Sequence, residues 1–241
     1  MGRALIDAVL ADPELTLVCA VDVADSPAIG QAAGKVRIVS DPGAIAAADV
    51  LLDFTRPEGT LALLKHARAM VIGTTGFTGE DKGRIAEAAK RIPVVMAANF
   101  AVGVNAAYKL AEIAAGILGD AYDVEIVEAH HRHKVDAPSG TALHLGQVVA
   151  QSLGRDLEKN AVFGRKGDLG ERKPKQIGFH SIRGGDIVGE HSVIFAGAGE
   201  RVEVTVRSQS RATYAAGALR AAKWLQGRAP GLYGMADVLS L

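Results

Sequence analysis

The sequence predicts a protein of two lobes, a doubly wound α/β lobe followed by a second lobe of the α+β class. In the first hundred residues, short apolar runs alternate with helix-like stretches, which is typical of a parallel sheet covered by helices on both faces. Beyond Asn99 the pattern changes to a long alanine-rich stretch followed by segments in which apolar and polar side chains alternate. The length of 241 residues is sufficient for two lobes of modest size.

Four apolar runs in the first lobe each predict a buried parallel strand, because such strands are apolar on both faces. The predicted strands are residues 15–21, 50–54, 70–73 and 94–97. Between them, residues 57–69 begin with proline, which suits the first turn of a helix, and residues 80–91 place apolar side chains on one face. We therefore expect these two segments to be helices that connect neighbouring strands.

The second lobe is predicted to mix helices with antiparallel strands. The predicted helices are residues 104–118 and 139–153, and the predicted strands are residues 124–128, 191–196 and 202–207. Small residues at 197–199 predict a hairpin turn between the last two strands. Residues 213–225 predict a final helix, which we expect to return to the first lobe.

The composition argues against several classes of protein. Lys and Arg number 27 and so do Asp and Glu, whereas nucleic-acid-binding proteins normally carry an excess of basic residues. The first ten residues are too short and too polar for a secretion signal, and no apolar run is long enough to span a membrane. A single cysteine, Cys19, excludes an internal disulfide framework. We expect a cytoplasmic protein that binds a small molecule and neither nucleic acid nor membranes.

The first lobe carries part of a dinucleotide-binding pattern. Such a site needs a first strand, a glycine-rich turn, a helix whose N-terminus faces the pyrophosphate, and an acidic residue about twenty positions later. Gly2 opens a helix-like stretch and Asp22 closes the strand predicted at 15–21, but the first strand and its glycines are missing before Met1. Asp22 is therefore a candidate to bind the ribose of a cofactor, and an ordinary turn-forming aspartate is the alternative.

Two loops are predicted to leave the sheet of the first lobe at the same edge. Residues 73–76 follow the third predicted strand, and residues 97–103 follow the fourth. Ligands of open α/β sheets bind at the carboxyl ends of the strands, and small side chains let a flat nicotinamide ring approach the backbone. An ordinary glycine turn is the alternative for each loop, but the convergence of both favours a cofactor site.

The segment EAHHRHKVDAPSGTA, residues 128–142, predicts the chemical centre of the protein. His130, His131 and His133 lie beside Lys134, directly after a predicted strand. Histidine has a pKa near neutrality, which suits proton transfer, and the neighbouring cations suit an anionic substrate. We interpret the cluster as a proton donor with cationic anchors. The isolated His66, His144, His180 and His191 are interpreted as structural or surface residues.

The same segment predicts a site for a carboxylate. Ser139, Gly140 and Thr141 open the following helix, and the N–H groups of a helix N-terminus can bind an anion. Lys134 supplies a positive charge for the same group. Metal binding by the histidines and Asp136 is the alternative, but the spacing lacks the HExxH pattern or the cysteine pairs of strong zinc sites. We therefore expect no metal.

Several motifs resemble the 4-hydroxy-tetrahydrodipicolinate reductase family. They are EAHHRHKVDAPSGTA, DFTRPEGT, VIGTTGF, AANFAVGVN, RGGDIVGEHSVIF and SRATYAAGALRAAKWL, which together extend over nearly the whole chain. The resemblance implies a Rossmann-like dinucleotide-binding lobe of residues 1–101 and 211–241, and a substrate-binding and oligomerisation lobe of residues 102–210. It implies that NADH or NADPH reduces a cyclic dicarboxylate of lysine and diaminopimelate biosynthesis to tetrahydrodipicolinate, with loss of water, in a homotetramer.

The resemblance also implies roles for individual residues. His130 would be the acid and Lys134 a second catalytic group, and the substrate contacts would be His131, Gly140 and Thr141. The nicotinamide contacts would be Gly73, Thr74, Thr75, Ala97, Ala98, Asn99 and Phe100. The acid that binds the adenosine ribose aligns with Asp22, and Val23 stands where members that bind NADPH well carry arginine. We therefore expect a preference for NADH.

The chain departs from the family at its start. Family members begin with a strand and a GxxGRMG-type loop, whereas this sequence begins at the methionine of that motif, followed by Gly2 and Arg3. We expect the native protein to carry about fifteen to twenty-five further residues of strand and glycine loop upstream. Two other functions stay open from the residues: a different two-lobe NAD-dependent dehydrogenase acting on an aldehyde or amino acid, and a cofactor-free subunit that only assembles with full-length partners.

Overall fold

A computed structural model describes residues 1–241, and the chain divides into two units. Unit 1 comprises Met1–Val102 and Arg211–Leu241, and unit 2 comprises Gly103–Ser210. Each unit has its own apolar core. The longest helix has 17 residues, and none combines the length and hydropathy that a membrane crossing requires.

Twelve strands and eight α-helices make up the two units. The strands are β1 (Ala20–Val21), β2 (Ala32–Ala33), β3 (Val36–Val39), β4 (Leu51–Asp53), β5 (Met70–Ile72), β6 (Pro93–Met96), β7 (Asp123–His130), β8 (Ala161–Phe163), β9 (Ile177–Arg183), β10 (Gly189–Ala196), β11 (Arg201–Ser208) and β12 (Gly231–Tyr233). The helices are α1 (Gly2–Ala11), α2 (Pro57–Leu63), α3 (Gly79–Ala89), α4 (Val102–Leu118), α5 (Gly140–Ser152), α6 (Leu157–Asn160), α7 (Ala212–Leu225) and α8 (Met235–Leu239).

The main sheet of unit 1 has four parallel strands in the order β12-β6-β5-β4. The apolar runs predicted as strands at 50–54, 70–73 and 94–97 are confirmed as β4, β5 and β6. Val71 and Val95 are completely buried and pack with the apolar face of α7. This layered α/β arrangement confirms the predicted fold class and brings the ends of β4, β5 and β6 to one edge of the sheet.

The predicted strand at 15–21 is only partly confirmed. Hydrogen bonding as a strand is confined to β1, which pairs with β3 in a separate sheet of order β1-β3-β2. Residues 15–21 and 50–53 line a common, mainly apolar cavity of about 380 Å³. The prediction of a strand was wrong for residues 15–19, because these residues have no partner strand on either side. Strands β1 and β4 are therefore edge strands of two sheets rather than neighbours.

The helix predicted at 57–69 also proved shorter than expected. Helix α2 ends at Leu63, and turns continue the chain until β5 begins at Met70. Because Ala67 and Ala69 are buried beside the sheet, residues 67–69 serve as the approach to β5 rather than as a further helical turn.

Unit 2 contains a five-stranded mixed sheet in the order β11-β10-β7-β9-β8. Strands β7, β8 and β9 are parallel to one another, whereas β10 is antiparallel to β7 and to β11. The predicted hairpin is confirmed, with eight residue pairs joining β10 and β11. Helices α4 and α5 pack on one face of the sheet, where Ile126, Phe179 and Val193 form the core. Along that face, β7 continues from apolar side chains to the polar ones of the candidate site.

Candidate active site

The polar cluster of unit 2 begins at the carboxyl end of β7. Side chains alternate along a strand, so Glu128 and His130 lie on the same face as the core residue Ile126. Glu128 is only 1% exposed and His130 9% exposed. A buried carboxylate is costly unless it is paired and hydrogen-bonded, so its partners indicate what the cluster is built to hold.

Glu128 accepts hydrogen bonds from three elements. His130 Nδ1 lies 2.5 Å from its Oε2, and the Ser139 N–H lies 3.3 Å from its Oε1. Arg183 on β9 donates from both terminal nitrogens, at 2.9 Å to Oε2 and 2.7 Å to Oε1. Burial by itself would raise the pKa of Glu128, but hydrogen bonds from Arg183, Ser181 and His130 outweigh it and lower the pKa to about 2. The carboxylate is therefore ionised at neutral pH.

Histidines from two strands meet in this cluster. His191 on β10 lies directly opposite Glu128 in the register of β10 and β7. Its ring contacts the ring of His130 edge to face, with 5.1 Å between the centroids. Burial, followed by the positive charge of His130, lowers the pKa of His191 to about 4, so His191 is neutral at physiological pH. Burial also lowers the pKa of His130, although the Glu128 carboxylate opposes this effect.

Helix α5 begins beside the histidines. Ser139 is its N-cap: the hydroxyl oxygen accepts the Ala142 N–H at 3.2 Å, as N-cap residues do. The same hydroxyl lies 3.0 Å from His191 Nε2. Gly140 and Thr141, both predicted substrate contacts, form the first turn of the helix, where backbone N–H groups and the helix dipole favour an anion.

The remaining predicted residues of the segment lie in the loop between β7 and α5. Lys134 donates to Asp136 at 2.8 Å and is close enough to His130 to lower its pKa electrostatically. His131 is half-buried and His133 is exposed, with 6.2 Å between their ring centroids. No three His, Cys, Asp or Glu side chains of the chain are grouped so that they could hold a metal ion. The loop thus offers a cation and an imidazole beside the start of α5.

The two predicted cofactor loops of unit 1 lie at the ends of paired strands. Residues 73–75 follow β5 and residues 97–100 follow β6, and the Ala97 N–H donates to the Ile72 carbonyl at 3.1 Å. Buried Asp53 at the end of β4 accepts from the hydroxyls of Thr55, Thr60 and Thr74. The Thr74 hydroxyl also accepts the Thr55 N–H. Because its side chain is engaged in this way, Thr74 can offer a ligand mainly its backbone.

Two phenylalanines connect these loops. The rings of Phe54 and Phe100 are 5.4 Å apart between centroids. A Cβ added at Gly73 would overlap the Phe54 ring, and a Cβ added at Gly217 on α7 would overlap the carbonyl oxygen of Phe100. Glycine at both positions is therefore needed for the loops to pack as they do. No local sequence pattern marks Phe54 or Gly217, since their importance arises from contacts between distant segments.

Asp22 lies directly after β1, in the smaller sheet of unit 1. Its carboxylate accepts the Val23 N–H at 2.9 Å and the Ser26 hydroxyl at 2.7 Å, and it is exposed. Val23 is 64% exposed. The structure thus presents an acceptor for hydroxyl groups next to an apolar side chain, in a sheet separate from the one that carries the two predicted cofactor loops.

Sequence reasoning missed the polar partners that come from distant strands. His191 was interpreted as a structural or surface residue, and Arg183 and Glu128 were given no role, yet they surround His130. The register of the sheet brings Arg183 on β9 opposite His130 on β7, and no local sequence pattern indicates this pairing. Strand β9 itself was not predicted, because its apolar start is short and polar residues follow, IGFHSIR.

Comparisons with known proteins identify relatives over the whole chain. Residues 1–100 match the family described as dihydrodipicolinate reductase, N-terminus, and residues 103–239 match dihydrodipicolinate reductase, C-terminus. The 4-hydroxy-tetrahydrodipicolinate reductase of Thiobacillus denitrificans is 58% identical, over all of this chain and 95% of the relative. That of Aromatoleum aromaticum is also 58% identical, over all of this chain and 92% of the relative.

A solved structure shows the same similarity. Dihydrodipicolinate reductase from Paenisporosarcina sp. TG-14, determined with dipicolinate bound, superposes with a TM-score of 0.78 at 25% identity. The superposition covers 98% of this chain and 94% of that one. Sequence and fold therefore lead to the same group of enzymes.

Proposed function

The chain belongs to the dihydrodipicolinate reductase family, and from that premise we propose how its own residues share the family's reaction. It reduces 4-hydroxy-tetrahydrodipicolinate to tetrahydrodipicolinate with NAD(P)H, in lysine and diaminopimelate biosynthesis. The observation that carries the assignment of roles is the buried Glu128–His130 pair beside the N-terminus of α5. That arrangement supports the proposal that His130 donates a proton to a substrate whose carboxylate binds at the start of α5.

His130 is the proposed general acid. Its Nδ1 is engaged by Glu128, so Nε2 is the ring nitrogen left to deliver a proton to the substrate. The substrate hydroxyl leaves as water together with a hydrogen of the adjacent ring carbon, which creates a carbon–carbon double bond, and a bound nicotinamide cofactor would supply hydride to the carbon that carried the hydroxyl. His130 then protonates the neighbouring ring carbon, which balances the charge that the hydride brings. Lys134 is the second catalytic group, since its ammonium can stabilise negative charge on the ring during this step.

The substrate carboxylates are proposed to bind at the start of α5. Gly140 and Thr141 provide the first turn of the helix, and His131 and Lys134 provide imidazole and ammonium groups beside it. The Paenisporosarcina relative was solved with dipicolinate, a planar ring with two carboxylates, which supports a dicarboxylate site. Lys134 is paired with Asp136 in this structure, so substrate binding exchanges one carboxylate partner for another.

The cofactor is proposed to bind in unit 1, the dinucleotide-binding domain of residues 1–101 and 211–241. Its nicotinamide would lie against the loops after β5 and β6, where glycine and short side chains allow close approach to the backbone. These contacts are Gly73, Thr74, Thr75, Ala97, Ala98, Asn99 and Phe100. The exposed Asp22 carboxylate suits the ribose hydroxyls, and no cation stands at Val23 for a 2′-phosphate, so NADH is preferred.

Unit 2 is proposed to serve as the substrate-binding and oligomerisation domain of a cytoplasmic homotetramer. Helices α4 and α5 cover one face of its sheet. The opposite face carries Ile182, which is 51% exposed. Pairing this face with another copy would bury the apolar surface that it exposes.

The experiment that tests the function follows cofactor oxidation by the purified chain, supplied with the fresh condensation product of pyruvate and aspartate semialdehyde. We expect turnover with either cofactor and a higher kcat/KM with NADH. Turnover with aldehydes or amino acids alone would favour the alternative hypothesis of a different two-lobe NAD-dependent dehydrogenase. Intact tetramers that bind no cofactor and show no turnover would favour the cofactor-free subunit.

A further inference from the structure

Glu128 makes more hydrogen bonds than the packing of β7 alone requires. Val124 and Ile126 occupy the preceding positions of the same face and are fully buried apolar side chains. An apolar residue at the next position would extend this core without burying a charge, and such replacements of buried ion pairs often stabilise proteins. The chain instead has an ionised carboxylate that touches His130, Ser139 and Arg183.

We propose that Glu128 is a positioning residue, which holds His130 in the orientation and tautomer that direct Nε2 to the substrate. A carboxylate accepts hydrogen bonds but does not donate them, so the 2.5 Å contact requires a proton on His130 Nδ1. When His130 has given up its other proton, Nε2 is therefore the bare nitrogen. This inference rests on the proposed role of His130 as the acid.

Arg183 limits how far the Glu128 carboxylate raises the pKa of His130. It donates two hydrogen bonds to the same pair of oxygens and neutralises the carboxylate charge. Glu128 alone would strengthen proton binding at His130, whereas the positive charges of Lys134 and Arg183 weaken it. The other titratable group in contact with His130 is neutral His191 on β10, and Lys134 is itself paired with Asp136. Arg183 thus lets Glu128 fix the imidazole without making it too weak an acid.

The chain offers a matched control three residues away on the same strand. Glu125 accepts hydrogen bonds from Arg165, Arg172 and His180, and these lower its pKa to about 2 although burial opposes the shift. It therefore has the same kinds of partner as Glu128, namely arginine N–H groups, here three from two arginines, and an imidazole. Because alternation places Glu125 on the opposite face of the sheet, it does not contact His130.

The test compares Glu128→Gln with Glu125→Gln in the full chain. We expect Glu128→Gln to lower kcat at least about a hundredfold with little change in KM, because loss of an orienting carboxylate leaves the imidazole in the wrong tautomer. Loss of the negative charge also lowers the pKa of His130, so the fall in kcat with rising pH moves to lower pH. Glu125→Gln should change neither kcat nor the pH profile. Equal kcat values and equal profiles in the two variants would overturn the proposal.

A measurement on the unmodified protein keeps the proposal testable if Glu128→Gln does not fold. Nitrogen NMR of histidine-labelled protein reports which ring nitrogen of neutral His130 carries the proton, with His130→Ala used to assign the signal. The Nδ1–H tautomer is the expected result, and the Nε2–H tautomer would overturn the proposal. This readout is independent of turnover. Failure of the proposed function would instead appear as near-normal turnover in His130→Ala.

Discussion

The candidate sites of the two units are built in opposite ways. In unit 2 the site consists of side chains that carry charge or protons, and a buried glutamate holds an arginine and a histidine in place. In unit 1 the predicted cofactor loops are defined by side chains that are absent, since Gly73 and Gly217 leave the space that Phe54 and Phe100 fill. The site in unit 2 therefore depends on groups that are present, whereas the predicted cofactor loops depend on protein groups that pack closely against backbone without a Cβ.

Buried acids illustrate the same contrast. Glu128 in unit 2 is paired with a cation, whereas Asp53 in unit 1 is surrounded by the hydroxyls of Thr55 and Thr74. The first arrangement can alter proton affinity at a neighbouring imidazole. The second only ties the ends of β4 and β5 together. Removing a side chain should therefore do most damage to function in unit 2, and adding one should do most damage in unit 1.

The largest effect is expected from His130→Ala, which removes the proposed acid. Turnover should fall about a hundredfold or more, as it usually does on loss of a general acid. His133→Ala is the control, because His133 is exposed in the same loop and has no proposed role. Steady-state cofactor oxidation at saturating substrate measures both. Near-normal rates in His130→Ala would place the proton transfer elsewhere.

An added methyl group in unit 1 should act on stability. Gly217→Ala forces α7 away from the Phe100 carbonyl oxygen and should cost about 1–3 kcal/mol, as overpacking typically does. Gly83→Ala, at an exposed position of α3, meets no atom within 4 Å and should stabilise the helix by about 0.5–1 kcal/mol. Urea midpoints of the two variants test the difference. If Gly217→Ala were as stable as the parent, the loop that contains Phe100 could move aside at no cost, and the predicted overpacking would be wrong.

Acid should weaken unit 2. His191 has a pKa of about 4 when folded and an ordinary value of 6.5 when unfolded, so the unfolded chain binds the extra proton. Its contribution to stability is complete above pH 6.5 and is lost as pH falls towards 4. We expect a loss of about 1 kcal/mol per pH unit across this range, from urea unfolding between pH 7 and 5. His191→Gln should flatten the slope, and an unchanged slope would exclude His191 as its source.

The smallest effect is expected at the ribose end of the cofactor site. Val23→Arg supplies the missing cation, and kcat/KM for NADPH should rise about tenfold. The value for NADH should change little, which makes it the internal control. Competitive kinetics with both cofactors measures the ratio. If the parent chain already prefers NADPH, the proposed roles of Asp22 and Val23 in cofactor selection are wrong.

The sequence predicted the parts of the structure that depend on local pattern. Strands β4, β5 and β6 and the hairpin of β10 and β11 follow from apolar runs and alternation, and the segment 128–142 was identified from residue types alone. The strand prediction was wrong for residues 15–19 because an apolar run forms a strand only when a partner strand is present to pair with it. His191 and Arg183 were missed because the register of non-consecutive strands brings them to His130, and local pattern carries no such information.

The Glu125 cluster has a consequence for proteolysis. Arg165 and Arg172 lie in the segment between β8 and β9, and both donate to the one Glu125 carboxylate. The two arginines therefore attach this segment to the sheet at two points. The residues between Arg165 and Arg172 are the ones most free to move away from the sheet. A protease that cuts after basic residues should find Lys166, which is exposed there, before either arginine. The first nick in unit 2 would then report on whether both arginines remain paired with the half-buried Glu125 carboxylate.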